Sequence, residues 1–322
     1  MTSVETIFMK KAAIILILLA LAAALYSQRV AVLDYIRVWR APAVPELPEV
    51  EVIRRGLLNH LPGRTIEAVF YSGKLLRRPV LLANMRDLLI GEVIVDITRR
   101  AKYLLIHMDS GALLLLHMGM TGRLGLFPLG VPTAKHDHLR WRLDSGLELR
   151  FHDARRFGLA QVLTPEEALV REDSIFGSTG PEPFSDQCTP TFLMDRARKK
   201  RQSVKAFLMD TRIIAGVGNI YANESLFRSG IHPARPVGDL DLHDWQLLVS
   251  NLRSILQHAI DCGGSTISDY LNAGGTQGYF QVHFRVYDRA GEPCPKCRTP
   301  IERIKIGGRA SFFCPKCQTT GK

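Results

Sequence analysis

Two Cys-Pro-Lys-Cys motifs near the C-terminus constrain the fold of this chain more than any other feature. The first contains Cys294 and Cys297 and the second Cys314 and Cys317, with 16 residues between the motifs. This spacing matches a tetrahedral four-thiolate zinc site, which leaves no coordination position for water and is therefore structural. Incidental thiols or redox pairs are the alternative, but the motifs lack a thioredoxin-like βαβ context. We therefore predict one structural Zn²⁺ that holds a β-hairpin, with Arg309 at its basic tip.

The net charge and the other cysteines narrow the class of protein. The chain has 42 Lys and Arg residues against 31 Asp and Glu residues, a formal net charge of +11. This excess favours a polyanionic partner such as nucleic acid. Cys188 and Cys262 stand alone, so we expect a metal site in a reducing compartment and not a disulfide framework. At 322 residues the chain is longer than one hydrophobic core usually supports.

Residues 1–44 differ from the rest of the chain. Lys10 and Lys11 precede an unbroken apolar run, residues 12–26. The run is short for a membrane span, and although it is typical of a secretory signal it lacks a clean cleavage site.

Residues 45–175 are predicted to form a β-sandwich with one helix at its start. Apolar residues recur at helical spacing after Pro45, at Val50, Ile53, Leu57 and Leu61. This spacing predicts a helix that begins three or four residues after Pro45. From about residue 64 to residue 163, short β-rich runs alternate with turn residues, which favours a sandwich or barrel. The runs are TIEAVFY, EVIVDITRR, KYLLIHM, ALLLLHM, HLRWRL and LELRFHD.

Residues 176–281 are predicted to form a helical domain, with a polar linker at residues 174–190 and helices between about 190 and 262. The basic run Arg198–Arg201 could contact phosphates, although a solvated helix face would look the same. In Gly216–Glu224, two glycines permit a tight turn before a helix N-terminus that could bind phosphate, and a packing turn is the alternative. The tail, residues 282–322, is too short for a core of its own without a metal.

Several motifs together resemble the formamidopyrimidine-DNA glycosylase family. In chain order they are PELPEVE from Pro45, RRAKY from Arg99, HMGMTG from His117, KHDH from Lys135, DARRFG from Asp153, the Gly216–Glu224 turn and the zinc ribbon. The resemblance implies an α+β multidomain fold: an N-terminal β-sandwich with a helix, a helical helix-two-turn-helix domain and a C-terminal zinc-ribbon finger. It also implies a monomeric base-excision repair enzyme, without a small-molecule cofactor, that acts on double-stranded DNA containing oxidised bases or abasic sites.

The resemblance implies catalytic roles for four residues. Pro45, as an N-terminal secondary amine, is expected to attack C1′ of the damaged nucleotide and form an iminium ion that serves as an electron sink. Glu46 matches the proton donor, Lys102 the lysine assigned to β-elimination, and Arg309 the fingertip arginine assigned to δ-elimination. Because arginine seldom releases a proton, we favour an electrostatic role for Arg309.

DNA contacts are expected from Met120, His136, Arg155, Phe157, Lys200, Lys205 and Asn219. Met120, Arg155 and Phe157 match the residues that fill the space left by a flipped nucleotide, with core packing as the alternative for the two apolar ones. The His136-Asp-His138 cluster lacks a convincing third ligand, so we predict no second metal. The segment Gly274–Tyr279 corresponds to the family's lid over the flipped base.

Two positions distinguish this chain within the resemblance. Leu47 stands where the related endonuclease VIII type usually has Gly, which favours oxidised purines such as 8-oxoguanine, with oxidised pyrimidines as the alternative. Ala154 replaces a frequent Pro, and we expect this change to alter loop stiffness and not chemistry.

The fate of residues 1–44 decides whether Pro45 can react, because an amide nitrogen cannot form the iminium ion. Val44 occupies the place of the family's initiator Met, as a GTG start codon would appear if translation were assumed to begin upstream. We therefore interpret the extension as a start-site artefact, with proteolytic removal as the second interpretation. The third is a non-catalytic zinc-ribbon DNA-binding protein, tethered to a membrane by the apolar run. A secretion signal would carry a repair enzyme away from DNA, so we expect a cytoplasmic, nucleoid-associated protein.

Overall fold

The computed structural model describes residues 45–263 and 284–320, and it describes only the backbone of residues 171–174. The extension 1–44 and the lid segment Gly274–Tyr279 lie outside the described residues. In the part of the chain that is described, no helix is both long and apolar enough to cross a membrane.

Two antiparallel four-stranded sheets enclose the first core. One sheet has the strand order β1-β6-β7-β5 and the other β2-β3-β4-β8. Their bounds are β1 Ile66–Tyr71, β2 Ile94–Arg100, β3 Tyr103–Met108, β4 Leu113–His117, β5 Gly122–Pro128, β6 Asp137–Leu143, β7 Leu147–Asp153 and β8 Leu159–Leu163. Trp141 and Phe151 of the first sheet belong to the same buried cluster as Leu104 and Ile106 of the second. The predicted β-sandwich is therefore confirmed.

Helix α1 (Leu47–Leu58) closes one side of the sandwich. It begins two residues after Pro45, slightly earlier than predicted, because Pro48 fits the first turn, where no backbone N–H is needed. The predicted apolar face is confirmed, since Val50, Ile53, Leu57 and Leu61 are all at most 2% exposed. Two further helices, α2 (Leu82–Leu89) and α3 (Pro165–Phe176), pack on the sheets.

The six runs predicted as strands form β1 to β4, β6 and β7, whereas β5 and β8 were not predicted. Strand β5 reads GRLGLFP, a composition typical of turns. Gly125 is nevertheless required inside the strand, because a Cβ there would lie 2.8 Å from the ring of Phe127. Close packing therefore outweighed local propensity in this strand.

The helical region contains α4 (Pro190–Ala197), α5 (Val204–Leu208), α6 (Asn219–Arg228) and α7 (Leu242–Asp261), with a 3₁₀ turn at Val237–Asp239. Thr189 caps α4 by accepting the Phe192 N–H at 3.0 Å. Asp241 caps α7 in the same way. The first residues of the predicted linker belong to the last turn of α3, so the linker is shorter than predicted.

The C-terminal hairpin consists of β9 (Glu302–Ile306) and β10 (Arg309–Phe313). Gly307 and Gly308 form its tip with φ of 55° and 79°, a left-handed conformation that favours glycine. The sulfur atoms of the four motif cysteines lie within 4.8 Å of one another. Tetrahedral zinc coordination at about 2.3 Å places sulfur atoms about 3.8 Å apart, so the donor set fits a zinc ion.

Candidate active site

The carboxyl group of Glu46 is buried against the N-terminus of α6. The residue is 1% exposed, Oε1 accepts the Ile220 N–H at 2.8 Å, and Oε2 lies 3.5 Å from the Tyr221 nitrogen. Gly218 permits this approach, because a Cβ there would lie 2.3 Å from Glu46 Cδ. The free N–H groups of a helix N-terminus and its partial positive charge suit a carboxylate. Two N–H groups that the sequence suggested for phosphate are thus directed at Glu46.

Burial is the largest influence on the acidity of Glu46, and it raises the pKa of the carboxyl group. The positive charge of Lys102 and the α6 N–H groups lower the pKa, while the charge of Glu49 raises it further. A raised pKa keeps a larger protonated fraction near neutral pH, which is the property a proton donor needs.

Glu49 ties the start of α1 to α6. Its Oε2 accepts the Glu46 N–H at 2.8 Å, and its Oε1 accepts the Tyr221 hydroxyl at 2.7 Å. Burial raises the pKa of Tyr221 well above its usual value, so this hydroxyl remains a donor. Pro45, which is itself buried, directly precedes this bonded segment. The position of Pro45 is therefore set by contacts of α1 with a helix far away in sequence.

Lys102 lies in the tight turn between β2 and β3, in which Ala101 has φ 53°. Glu182, from the segment after α3, accepts the Ala101 N–H at 2.6 Å and pairs with the two preceding arginines at 2.8 and 3.0 Å. Sequence reasoning missed Glu182, because nothing local marks a carboxylate whose partners lie about 80 residues earlier. This carboxylate fixes the turn that presents Lys102.

The predicted filling residues lie at the surface. Met120 is 37% exposed and Phe157 is 45% exposed, so packing in the core does not explain them. The guanidinium of Arg155 lies 4.7 Å from the centre of the Phe157 ring. Met120 and Phe157 line an open cavity of about 350 Å³ together with Arg77 and His117. Burial and the nearby positive charge of Arg77 lower the pKa of His117 to about 4, so its ring is neutral at physiological pH.

His136 lies half-buried at the end of the loop between β5 and β6. The neighbouring His138 is not available as a metal ligand, because its Nδ1 pairs with Ser72 Oγ at 2.9 Å and its Nε2 with the Asp153 carbonyl at 3.0 Å. Among the described residues, the four cysteines form the only cluster with metal-ligand geometry.

Lys205 and Lys200 occupy different environments. Lys205 is 1% exposed, and its ammonium group donates to the Ala310 carbonyl at 2.7 Å and to Ser311 Oγ at 2.6 Å. Burial and the charge of Arg309 lower the pKa of Lys205 to about 7. Lys200, by contrast, is exposed. Lys205 therefore joins the helical region to the hairpin strand that carries Arg309.

Helix α6 anchors the hairpin through side chains that sequence reasoning missed. Asn223 Oδ1 accepts the Phe312 N–H at 2.8 Å. Glu224 accepts backbone N–H groups from residues 285–287 at 2.9 to 3.0 Å. At the start of the same helix, Oδ1 of Asn219 is buried and has no hydrogen-bond partner within the described residues. The Asn219 side chain also lies within hydrogen-bonding reach of Tyr287, whose pKa this contact lowers against the larger, raising effect of burial.

The site assembles groups from four separate parts of the chain. The positive charge of Lys102 lowers the pKa of Glu46. The negative charge of Glu46 raises the pKa of Lys205, and the positive charge of Arg309 lowers it. A protonatable carboxyl group is thus surrounded by cationic side chains. Such an arrangement can transfer a proton beside a polyanionic ligand.

Three family profiles match the chain. They are the formamidopyrimidine-DNA glycosylase N-terminal domain at residues 44–160, the H2TH domain of the same family at residues 179–270, and the zinc finger found in FPG and IleRS at residues 291–320. The zinc-finger match and the sulfur geometry together support one structural Zn²⁺ at the four cysteines.

Curated relatives are similar along their whole length. A protein from Photobacterium profundum named formamidopyrimidine-DNA glycosylase is 43% identical over 275 residues, which are 85% of this chain and 100% of the relative. A protein of the same name from Vibrio cholerae is 44% identical over the same coverage.

Solved structures with the same fold contain DNA. Lactococcus lactis Fpg in complex with abasic-site DNA is 33% identical with a TM-score of 0.77, and MutM in complex with carbocyclic 8-oxo-G DNA is 32% identical with a TM-score of 0.77. Lactococcus lactis Fpg with DNA containing an oxidised pyrimidine is 33% identical with a TM-score of 0.76. Each match covers 85% of this chain and 100% of the solved chain.

Proposed function

Since the chain belongs to the formamidopyrimidine-DNA glycosylase family, we propose that it excises oxidised purines such as 8-oxoguanine and formamidopyrimidines from double-stranded DNA and then cleaves the abasic strand. The observation that carries this proposal is the buried Glu46 carboxyl group, held by α6 directly after Pro45.

Base removal begins with Pro45 and Glu46. The secondary amine of Pro45 attacks C1′ and the glycosidic bond breaks, and the damaged base leaves with the electron pair of that bond and with the proton that the amine releases. Glu46 donates its proton to the sugar-ring oxygen, and the ring opens to an iminium ion between C1′ and the proline nitrogen. The raised pKa of Glu46 supports this assignment, because the proton must still be present near neutral pH.

Strand cleavage uses the iminium ion as an electron sink. Loss of the C2′ proton breaks the C3′–O bond in β-elimination, and loss of the C4′ proton then breaks the C5′–O bond in δ-elimination. Lys102, presented by its tight turn, suits the first elimination. Arg309 at the hairpin suits stabilisation of the departing phosphate in the second, since a guanidinium rarely gives up a proton.

DNA has to be distorted before this chemistry can occur. The exposed Met120 and Phe157 are suited to replacing the stacking of the flipped nucleotide, and Arg155 to pairing with the orphaned base. We assign phosphate contacts to His136, Lys200, Lys205 and Asn219. The ammonium group of Lys205 is bonded to the hairpin in the structure and has to leave Ala310 and Ser311 to make its contact.

The reactive form requires that the nitrogen of Pro45 be free. We propose that translation starts at Val44 or that residues 1–44 are removed, because a tertiary amide at Pro45 cannot form the iminium ion. If the extension stays attached, the second candidate function is a non-catalytic zinc-ribbon DNA-binding protein.

Further features belong to the same proposal. We propose a catalytic domain at residues 45–175, a DNA-binding helical domain at 176–281 and a zinc-ribbon finger at 282–322. The enzyme is proposed to act as a monomer, without a small-molecule cofactor, in the cytoplasm in association with the nucleoid. A DNA substrate and four reduced thiolates both favour that compartment.

Excision assays test the proposal with protein that begins at Pro45 and duplexes that carry either 8-oxoguanine or thymine glycol. We expect faster excision of 8-oxoguanine, followed by a gap with phosphates at both ends. The matched control carries one alanine before Pro45, which converts the amine to an amide, and should bind but not cleave. Binding without cleavage by both forms would favour the non-catalytic function, and faster removal of thymine glycol would assign the pyrimidine preference.

A further inference from the structure

The loop between β5 and β6, residues 129–136, has no regular secondary structure and most of its residues are exposed. It ends at His136, which the proposed function assigns to the DNA backbone. When a ligand orders an exposed loop, the loss of conformational entropy weakens binding, unless contacts within the protein already hold the loop in place. The contacts that hold this loop therefore bear on DNA affinity.

Arg150 of β7 is the main anchor of the loop. It is only 2% exposed, and its guanidinium donates to the Val131 carbonyl at 2.6 Å and to the Pro132 carbonyl at 3.0 Å. Its Nε donates to Glu148 Oε2 at 2.7 Å. A buried guanidinium is costly unless its N–H groups have partners, and here the loop carbonyls supply two of them.

Asp137 fixes the other end of the loop. Its Oδ2 accepts the Ala134 N–H at 2.8 Å and its Oδ1 pairs with His152 Nδ1 at 3.0 Å. The same carboxylate lies 3.7 Å from the guanidinium of Arg150. The carbonyl of His136 itself accepts the Asp153 N–H at 2.9 Å. The loop is thus bonded at its middle and at its end to the two strands beneath it.

We propose that Arg150 is a positioning residue for DNA binding, which orders the 129–136 loop so that His136 meets the phosphate backbone. Because Arg150 is buried beneath the loop, it acts through His136 and does not touch DNA itself. The proposal rests on the proposed function, in which His136 contacts DNA.

The variant Arg150→Met tests the proposal, because it keeps an apolar stem but removes every donor to the loop. The matched control is Arg140→Met: Arg140 pairs with the same Glu148 at 3.0 Å but donates no hydrogen bond to the loop, all of whose residues the structure describes. Binding of a duplex with a tetrahydrofuran abasic analogue is measured by fluorescence anisotropy over a range of salt concentrations. Thermal unfolding checks that each variant is folded.

We expect Arg150→Met to weaken binding about tenfold, as the loss of a phosphate contact does. Arg140→Met should bind like wild type. His136→Ala should weaken binding similarly, and the double variant Arg150→Met/His136→Ala should be no more than about twofold weaker than His136→Ala alone, because both changes remove the same contact. Arg150→Lys, which can reach one carbonyl, should restore part of the affinity.

A kinetic measurement separates positioning from a general structural effect. In the form that begins at Pro45, Arg150→Met should raise KM while leaving the single-turnover rate at saturating protein unchanged. Wild-type affinity in a folded Arg150→Met protein, or additive losses in the double variant, would overturn the proposal. If Arg150→Met does not fold, the same double-variant comparison is made with Arg150→Lys and His136→Ala. Additive losses of affinity in that comparison would overturn the proposal. A wild-type protein that fails to bind the duplex would instead overturn the proposed function.

Discussion

At the scale of single residues, the burial of Glu46 has opposite effects on stability and chemistry. It favours the protonated form that the proposed reaction needs, and it makes the fold less stable where the residue ionises. The folded chain holds its carboxyl group 1% exposed, and burial raises its pKa. A group whose pKa is higher in the folded state than in the unfolded state stabilises the fold fully at pH values below its unfolded pKa. That contribution disappears as the pH rises through the folded pKa. Ionisation of Glu46 therefore makes the fold less stable at high pH. The proposed chemistry nevertheless needs the proton that this buried carboxyl group holds at lower pH.

Replacing Glu46 with Gln should slow base excision and raise the stability of the fold at high pH. We expect base excision to fall at least about 100-fold, because an amide is too weak an acid to protonate the sugar oxygen. The melting temperature at pH 8 should rise by about 2 °C relative to wild type, with the gain shrinking toward pH 4. Excision assays and calorimetry measure the two effects. The control is Glu67→Gln, at an exposed position of β1, which should change neither the excision rate nor the melting temperature. A Glu46→Gln protein with normal excision would refute the proton-donor role.

At the scale of elements, the junction of α1 with α6 depends on the absence of a side chain at Gly218. A methyl group there would lie 2.3 Å from Glu46 Cδ, so Gly218→Ala should displace the carboxyl group from the helix N–H groups. We expect a stability loss of about 2 kcal/mol and an excision rate at least about 100-fold lower. Gly91→Ala is the control: its φ of +88° is strained, but the added methyl meets no atom within 4 Å. It should lose about 1 kcal/mol and keep its excision rate.

The turn that presents Lys102 depends on Glu182 in a second junction between elements. Glu182→Ala removes the acceptor of the Ala101 N–H and the partner of two arginines, and should cost about 2 kcal/mol. Misplacement of Lys102 should slow cleavage of a preformed abasic site about tenfold, measured by gel assay. Asp195→Ala, which breaks the exposed Asp195–Arg198 pair, should affect neither quantity. Equal cleavage rates in both variants would show that Glu182 does not position Lys102.

These junctions also explain which features were predictable from the sequence. The α1 face and the zinc ribbon follow from short-range spacing, and both were predicted. The partners of Glu46 and Glu49 lie more than 170 residues away, so no local pattern indicates them. Strand β5 was missed because its glycines resemble turn residues, although Gly125 is there to make room for Phe127. Motif resemblance is the basis of the proposed site residues, but it gave no sign that Lys205 would be buried against the hairpin.

At the scale of the whole molecule, the zinc ribbon is the part that depends on a ligand for its fold. Its small cluster of buried residues includes the ligands Cys294 and Cys314 themselves. The sandwich and the helical region, in contrast, have extensive apolar cores of their own. Loss of zinc should therefore unfold the hairpin locally and leave the rest of the chain folded.

Zinc removal has a measurable outcome. Cys314→Ser should lose the one zinc ion per chain and weaken binding of an abasic-analogue duplex by at least about tenfold, because the hairpin with Arg309 is no longer held. Elemental analysis and anisotropy measure the two effects. Cys262→Ser, outside the ligand set, should retain both zinc and affinity. Full affinity in a zinc-free chain would show that the hairpin does not contribute to DNA binding.

The central claim is that Pro45 attacks the damaged nucleotide through a free amine. The most direct measurement is borohydride trapping on an 8-oxoguanine duplex, with protein purified from its own cells without an engineered start, followed by mass spectrometry of the cross-linked peptide. We predict a covalent complex in which the DNA is attached to a peptide whose first residue is Pro45. A protein that retains residues 1–44 and forms no complex, or one that traps through a lysine, would contradict the account.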